Sequence, residues 1–194
     1  MLTTSLCSHD KLKAIAHFIS GEFEKGVRCA LKAKEKLNNV EMNLINSAFE
    51  RQMDEALSNK DWISARKVRR RMLSLSGYAR SGFDPAGLIP RIEIPDAYLG
   101  KILLLSFSGG VVGYLVCLRS NDLHHRDILR NAELEVLDLG LRSTRVQELG
   151  GAFLRVEADL VHIWGESQDF GACDKMIAAS LVEIQYPGKR IVMD

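Results

Sequence analysis

Lys101-Ile102-Leu103-Leu104-Leu105-Ser106-Phe107-Ser108-Gly109-Gly110-Val111-Val112-Gly113-Tyr114-Leu115-Val116-Cys117-Leu118 marks the change from one kind of regular segment to another. The unbroken apolar run Ile102-Leu103-Leu104-Leu105 suits a strand buried on both faces. Ser108-Gly109-Gly110 turns the chain, and 111–118 supplies the next strand. Just upstream, Arg91-Ile92-Glu93-Ile94 alternates as a short strand bounded by Pro90 and Pro95. Downstream, 125–139 carries Ile128, Leu129, Ala132, Val136 and Leu139 at helical spacing, with Gly140 as a C-cap. Three strands are expected next, over 144–149, 152–157 and 160–164, joined by Gly150-Gly151 and by Ala158-Asp159. A helix over about 172–185, with Met176, Ile177, Ala179, Ser180 and Ile184, and a strand over 190–193 after Pro187-Gly188 complete the region. The expected fold class is α/β: a mixed sheet of about six strands with two covering helices over 88–194.

Before this region the pattern is helical, and no proline precedes Pro85. Ser8 or Asp10 caps a first helix with an apolar face of Leu12, Ile15, Ala16 and Ile19, ended by Gly21. A second, over 22–37, places Phe23, Val27, Ala30, Leu31 and Lys34 in period, and Asn38-Asn39 reads as a turn. A third, over 40–57, puts Leu44, Ala48, Phe49, Met53 and Leu57 on one stripe. Asp61 caps a fourth, over 62–75, with Trp62, Ala65, Val68, Met72 and Leu75 inward. Residues 1–76 therefore read as an all-α region of helical hairpins. Gly77, Gly82, Pro85 and Gly87 make 77–87 a linker, and 88–194 is the second domain.

Hydrophobic residues form 46% and charged residues 26% of the chain, enough for a real core, while a net charge of +1 supplies no global field for nucleic acid or an anionic membrane. Cys7, Cys29, Cys117 and Cys173 are far apart and show no CxxC spacing, so neither a metal site nor a disulfide framework is expected. No apolar run is long enough to span a bilayer, and the first residues do not resemble a secretory leader. A cytoplasmic protein with no cofactor is the expectation. Arg66, Lys67, Arg69, Arg70 and Arg71 alternate with Ala65, Val68 and Met72, which reads as the solvated face of an amphipathic helix rather than a nucleic-acid patch. A docking face for a partner protein is the functional version of that reading.

Two features carry chemistry. The turn Gly165-Glu166-Ser167-Gln168-Asp169-Phe170-Gly171 lies between a strand and a helix, where free amides and the positive end of a helix dipole attract an anion. Ser167 adds a hydroxyl, and no Gly-Lys-Ser/Thr follows, so it is not a nucleotide P-loop. His125 opens a helix; histidine titrates near neutrality and can take a proton from water or accept a phosphoryl group. Taken alone, both features are more often structural than functional. Lys101 at a strand start reads as a snorkelling lysine, and His162 as a histidine facing away from the site or satisfied within the core.

These segments, in this order, resemble the phosphohistidine phosphatases of the Janus/Ocnus family. Leu88-Ile89-Pro90-Arg91-Ile92-Glu93-Ile94 resembles the family's opening strand, and Gly100-Lys101-Ile102-Leu103-Leu104-Leu105 its lysine-led strand. His125-Arg126-Asp127-Ile128-Leu129 resembles the His-x-Asp-Ile segment that holds the catalytic histidine. Leu149-Gly150-Gly151 resembles a glycine turn between strands, and the run from Val161 to Gly171 resembles the strand and phosphate-binding turn before the last helix. The family usually has an arginine just after the glycine turn; here Ala152-Phe153 takes that place and Arg155 follows two residues later.

The resemblance implies a metal-independent phosphatase acting on phosphohistidine, or on phospholysine, in a protein substrate. It implies His125 as the catalytic residue and Lys101, Ser167, Gln168, Asp169 and Phe170 as phosphate-binding residues. Residues 1–76 would then dock a partner. The alternative is a non-catalytic phosphate-binding or scaffold protein of the same family, which Phe153 favours.

Overall fold

The computed structural model describes residues 9–33, 35–121 and 124–194, in two compact units. The expected cap at Ser8 and the inward Lys34 lie outside the described residues. The first unit runs to Leu88 and takes in Leu137–Arg142; the second comprises Ile89–Val136 and Ser143–Asp194.

The first unit holds α1 (His9–Ile19), α2 (Phe23–Lys32), α3 (Asn39–Ser58) and α4 (Trp62–Arg80), followed by a 3-10 turn at Pro85–Leu88. Several buried stripes are shifted from the expected ones. In α1 the buried residues are Lys11, Ala14 and Phe18, whereas Leu12 is exposed. Phe18 has the most apolar area to bury; it meets the Phe23 ring edge-on at 5.6 Å and lies over Gly26, where a Cβ would come within 2.6 Å of it. Turning Phe18 inward carries Lys11 with it, and Lys11 pairs with Glu35 and Glu41. In α3 the buried set is Ile45, Ala48, Phe49 and Ala56, with Leu44 and Leu57 outside.

Asn38, expected as a turn, is the N-cap of α3. Its side chain accepts from the Glu41 amide at 3.0 Å, and its own amide donates to the Glu41 carboxylate at 2.7 Å, a reciprocal capping box. Asp61 caps α4 as expected, accepting from the Ser64 amide at 3.0 Å, but Trp62 faces solvent. Residues 77–87, expected as a linker, belong to the first unit. Helix α4 continues to Arg80, a Cβ on Gly77 would lie 2.4 Å from the Gly87 carbonyl oxygen, and the Ser74 hydroxyl donates to the Leu88 carbonyl at 2.6 Å. Glycine here permits close backbone approach rather than freedom.

The basic run is also partly engaged within this unit. Arg66 and Arg70 reach the buried Asp138 carboxylate at 2.8 and 3.4 Å, and Arg71 donates to the Asp138 carbonyl at 3.0 Å. Arg69 remains on the outer side.

The second unit is a six-stranded mixed sheet in the order β1-β3-β2-β4-β5-β6. Its strands are β1 (Ile92–Glu93), β2 (Leu99–Gly109), β3 (Gly113–Asn121), β4 (Arg145–Val156), β5 (Leu160–Trp164) and β6 (Arg190–Met193). The outer pairs β1/β3 and β5/β6 are parallel and the inner ones antiparallel. Helices α5 (His125–Leu139) and α6 (Lys175–Gln185) complete it.

Two strands expected at 144–149 and 152–157 are one. Gly150, at φ +97°, forms a bulge rather than a hairpin turn, so that Leu103 pairs with Gly151 but Leu105 with Glu148. The last helix begins at Lys175 rather than near 172, because Gly171 and Cys173 are hydrogen-bonded to the Gly151 backbone at 3.0 and 3.2 Å.

Residues opposite each other across antiparallel strands share a face. One face, with Ile102, Leu104, Leu118, Ala152, Leu154, Val161 and Ile163, forms a single apolar cluster with Ala178 and Val182 of α6. The other face carries α5, with Ile128, Ala132 and Val136 buried as expected, while Leu139, also buried as expected, belongs to the first unit. Among the described residues no helix is long and apolar enough to cross a membrane.

Candidate active site

Helix α5 is seated by a buried ion pair. The Arg119 guanidinium, on β3, meets the Glu135 carboxylate through two nitrogens at 3.1 and 3.2 Å, and also lies 5.4 Å over the Phe107 ring. His125 is buried in the first turn of the same helix, against β4. The Asp127 carboxylate accepts from the His124 amide at 3.1 Å, so it caps the helix and does not touch the imidazole in this geometry.

His125 Nε2 lies 3.1 Å from the Ala152 carbonyl oxygen, and its ring meets Phe153 edge-on with centroids 6.0 Å apart. The wall behind the ring is Gly151. A Cβ there would stand 2.6 Å from His125 Cδ2 and 2.8 Å from Ser167 Cβ. The histidine and the serine of the 165–171 turn therefore converge on one glycine, which the sequence places 26 and 16 residues away from them. No local pattern could join them.

The turn is a closed one. Ser167 and Gly171 exchange backbone hydrogen bonds at 3.1 and 2.9 Å, and Gly151 donates to the Gly171 carbonyl at 3.0 Å, which ties the turn to β4. The amides of Asp169 and Phe170 donate to Ser167 Oγ at 3.3 and 3.2 Å. They are thus gathered around the buried Ser167 hydroxyl, while Gln168 is exposed at the tip. The dipole of α6 does not act at the turn in the expected way. Its first amides, those of Met176 and Ile177, are taken by the Asp174 carboxylate at 2.9 and 3.1 Å, several residues further on.

Lys101 pairs with Phe153 across β2 and β4 and so stands on the same face as Gly151, half-buried. Arg155 shares that face but is exposed and paired with Glu157 at 2.8 Å.

Three features escaped the sequence reading. Arg126, next to His125, pairs with the Asp169 carboxylate at 2.8 Å and links the start of α5 to the turn. This pair also offsets the negative charge that Asp169 would present to an anion. Phe153 and Trp164, paired across β4 and β5, stack with centroids 5.8 Å apart. Finally, His162 shares the site's face instead of turning away. It stacks on Trp164 at 4.8 Å and its Nε2 lies 2.6 Å from the Asp194 carboxylate. The signal for this was strand parity, legible only once the register of β4 and β5 is known.

Among the described residues no three His, Cys, Asp or Glu side chains gather as a metal site requires. The sequence matches the model of the Janus/Ocnus family (Ocnus) over residues 89–190. No curated protein matches the chain.

Proposed function

The chain belongs to the Janus/Ocnus family, and from that premise we propose that its second unit is a metal-independent protein phosphatase that cleaves the P–N bond of phosphohistidine or phospholysine. The observation that carries this reading is the meeting of His125 and Ser167 at Gly151.

A backbone carbonyl accepts hydrogen bonds and has none to donate, so the ring nitrogen facing Ala152 carries the proton. In the neutral ring the lone pair is then on Nδ1, the corner of the ring opposite the Cδ2–Nε2 edge that faces Gly151. That atom takes a proton from an attacking water, or it attacks phosphorus to form a phospho-histidine that water cleaves in turn. On either route the P–N bond breaks, the leaving nitrogen gains a proton, and the products are the free side chain and inorganic phosphate. Two amides donating into Ser167 Oγ leave its own hydrogen for a phosphoryl oxygen. Lys101 contributes a point charge and Gln168, exposed at the tip of the turn, a further contact, while the Asp169 and Phe170 amides act through the Ser167 hydroxyl that they hold. The helical region up to residue 76 docks a partner or the phosphorylated substrate protein, and the reaction belongs in the cytoplasm.

A second reading, a non-catalytic phosphate-binding or scaffold protein, is favoured by Phe153 in the place of the family's arginine. Phosphate release from a phosphohistidine peptide separates the two. Wild type is expected to release phosphate and His125→Ala to lose at least about 100-fold in rate. Silence from both proteins, each folded and binding the phosphopeptide, would establish the binding reading. Equal rates would remove His125 from the chemistry.

A further inference from the structure

On charge alone the 165–171 turn is a poor seat for an anion. It carries two carboxylates, Glu166 and Asp169, and a phosphoryl dianion brought to it meets both. Lys101 is half-buried on β2, and Arg155 is paired with Glu157 at 2.8 Å. Arg126 is placed differently. It follows His125 at the start of α5, and its Nη2 lies 2.8 Å from Asp169 Oδ1. The amide of the same Asp169 donates to Ser167 Oγ at 3.3 Å. One residue of the turn thus holds the serine hydroxyl through its amide and the guanidinium through its carboxylate. Ser167 and the His125 ring already meet at Gly151, so imidazole, hydroxyl and guanidinium are tied together.

The pair occupies only part of the guanidinium. Among the described residues no other hydrogen bond or ion pair engages the Arg126 side chain. A guanidinium carries five N–H donors in a fixed fork, so a second anion can be received on the nitrogens that Asp169 leaves. The side chain is 75% exposed, which opens those nitrogens to a ligand arriving from solvent.

We propose that Arg126 is a phosphate-binding residue of this site, gripping a phosphoryl oxygen with the free part of its guanidinium while Asp169 fixes its direction. The inference rests on the phosphatase reading above and adds a residue to its site. Asp169 is then a positioning residue: its carboxylate, otherwise a source of repulsion, anchors the cation. Planar, always charged and pre-organised by its partner, arginine suits this better than a lysine would. Were Arg126 there only to cancel the Asp169 charge, neutralising Asp169 would make it dispensable. A grip is lost whether or not Asp169 is charged.

The test is calorimetric binding of a peptide bearing a hydrolysis-resistant phosphohistidine analogue, with the unphosphorylated peptide as control. Arg126→Ala should weaken analogue binding roughly 10- to 100-fold and leave the control unchanged. Arg126→Lys, which keeps the charge but not the fork, should recover only part of that loss. The deciding comparison is Arg126→Ala/Asp169→Asn against Asp169→Asn alone. A further loss of roughly 5-fold or more supports the grip. No further loss would reduce Arg126 to charge cancellation and overturn it, as would unchanged binding in Arg126→Ala. Matching urea midpoints, expected for so exposed a side chain, show that the variants fold. Phosphate release from a phosphohistidine peptide should fall in Arg126→Ala by a similar factor in kcat/KM. A wild type that binds the analogue but releases no phosphate overturns the phosphatase reading, and the binding comparison still decides Arg126. A wild type that does not bind the analogue overturns both.

Discussion

The α6 face and the α5 face of the sheet are built from the same strands, yet they are different materials. On the α6 side Ile102, Leu104, Ala152, Leu154, Val161 and Ile163 meet α6 as one apolar cluster. On the α5 side Leu103, Leu105 and Phe107 are buried as well, but the strands also carry Arg119, Gly151 and Phe153, and the covering helix answers with Glu135 and His125. The first face is held by area removed from water. The second adds a charge pair at one place and is opened at another by a glycine, where the His125 ring and the Cβ of Ser167 come together. A sheet with two apolar faces would be a better core and would have no site.

The largest expected effect tests how α5 is held. Glu135→Ala leaves the Arg119 guanidinium buried beside little more than the Leu118 carbonyl and the more distant Glu93. It should cost about 3–5 kcal/mol in urea unfolding. Replacing both partners with apolar residues should recover most of that loss, because no charge then stays buried. A cost below about 1 kcal/mol for Glu135→Ala would mean that apolar contacts alone seat the helix.

Leu154→Ala on the opposite face should cost about 2–5 kcal/mol while leaving phosphate release per folded molecule near wild type. A proportionate loss of activity would break the division of labour between the faces.

Cys117, on the α5 face opposite Leu105, has its thiol pushed up from 9.0 to about 11, chiefly by burial. The folded thiol holds its proton after the unfolded one has lost it, so this contribution is complete below pH 9 and fades as pH rises to 11. The loss amounts to about 2–3 kcal/mol across that window. Unfolding curves of wild type should show it, and those of Cys117→Ala should be flatter over the same range.

Gly151→Ala is expected to cost least in stability and most in function. The added methyl must displace His125 or Ser167, for about 1–3 kcal/mol, while phosphopeptide binding and turnover collapse. Retained turnover would show that the two groups need not meet.

Much of the second unit was legible in the chain. Ile102-Leu103-Leu104-Leu105 announced a central strand, and α5 and β6 fell where periodicity put them. The glycine pair at 150–151 was misread as a hairpin, because a left-handed glycine serves a turn and a bulge equally well. In the first unit the elements were evident but several inward faces were not. Leu12 and Phe18 both fit a helical stripe, and the meeting with Phe23 decided between them.

By itself the sequence determined which segments are helix and strand, and it named His125 and the turn at Ser167. Backbone geometry repeats over a few residues, so short windows suffice for both. Tertiary structure alone decided that Gly151 would bring these two together, that Arg126 would pair with Asp169, and that the Ala152 carbonyl would hold one nitrogen of the imidazole. Each depends on strand register and on the seating of a helix, which are set by the whole sheet and encoded in no single stretch.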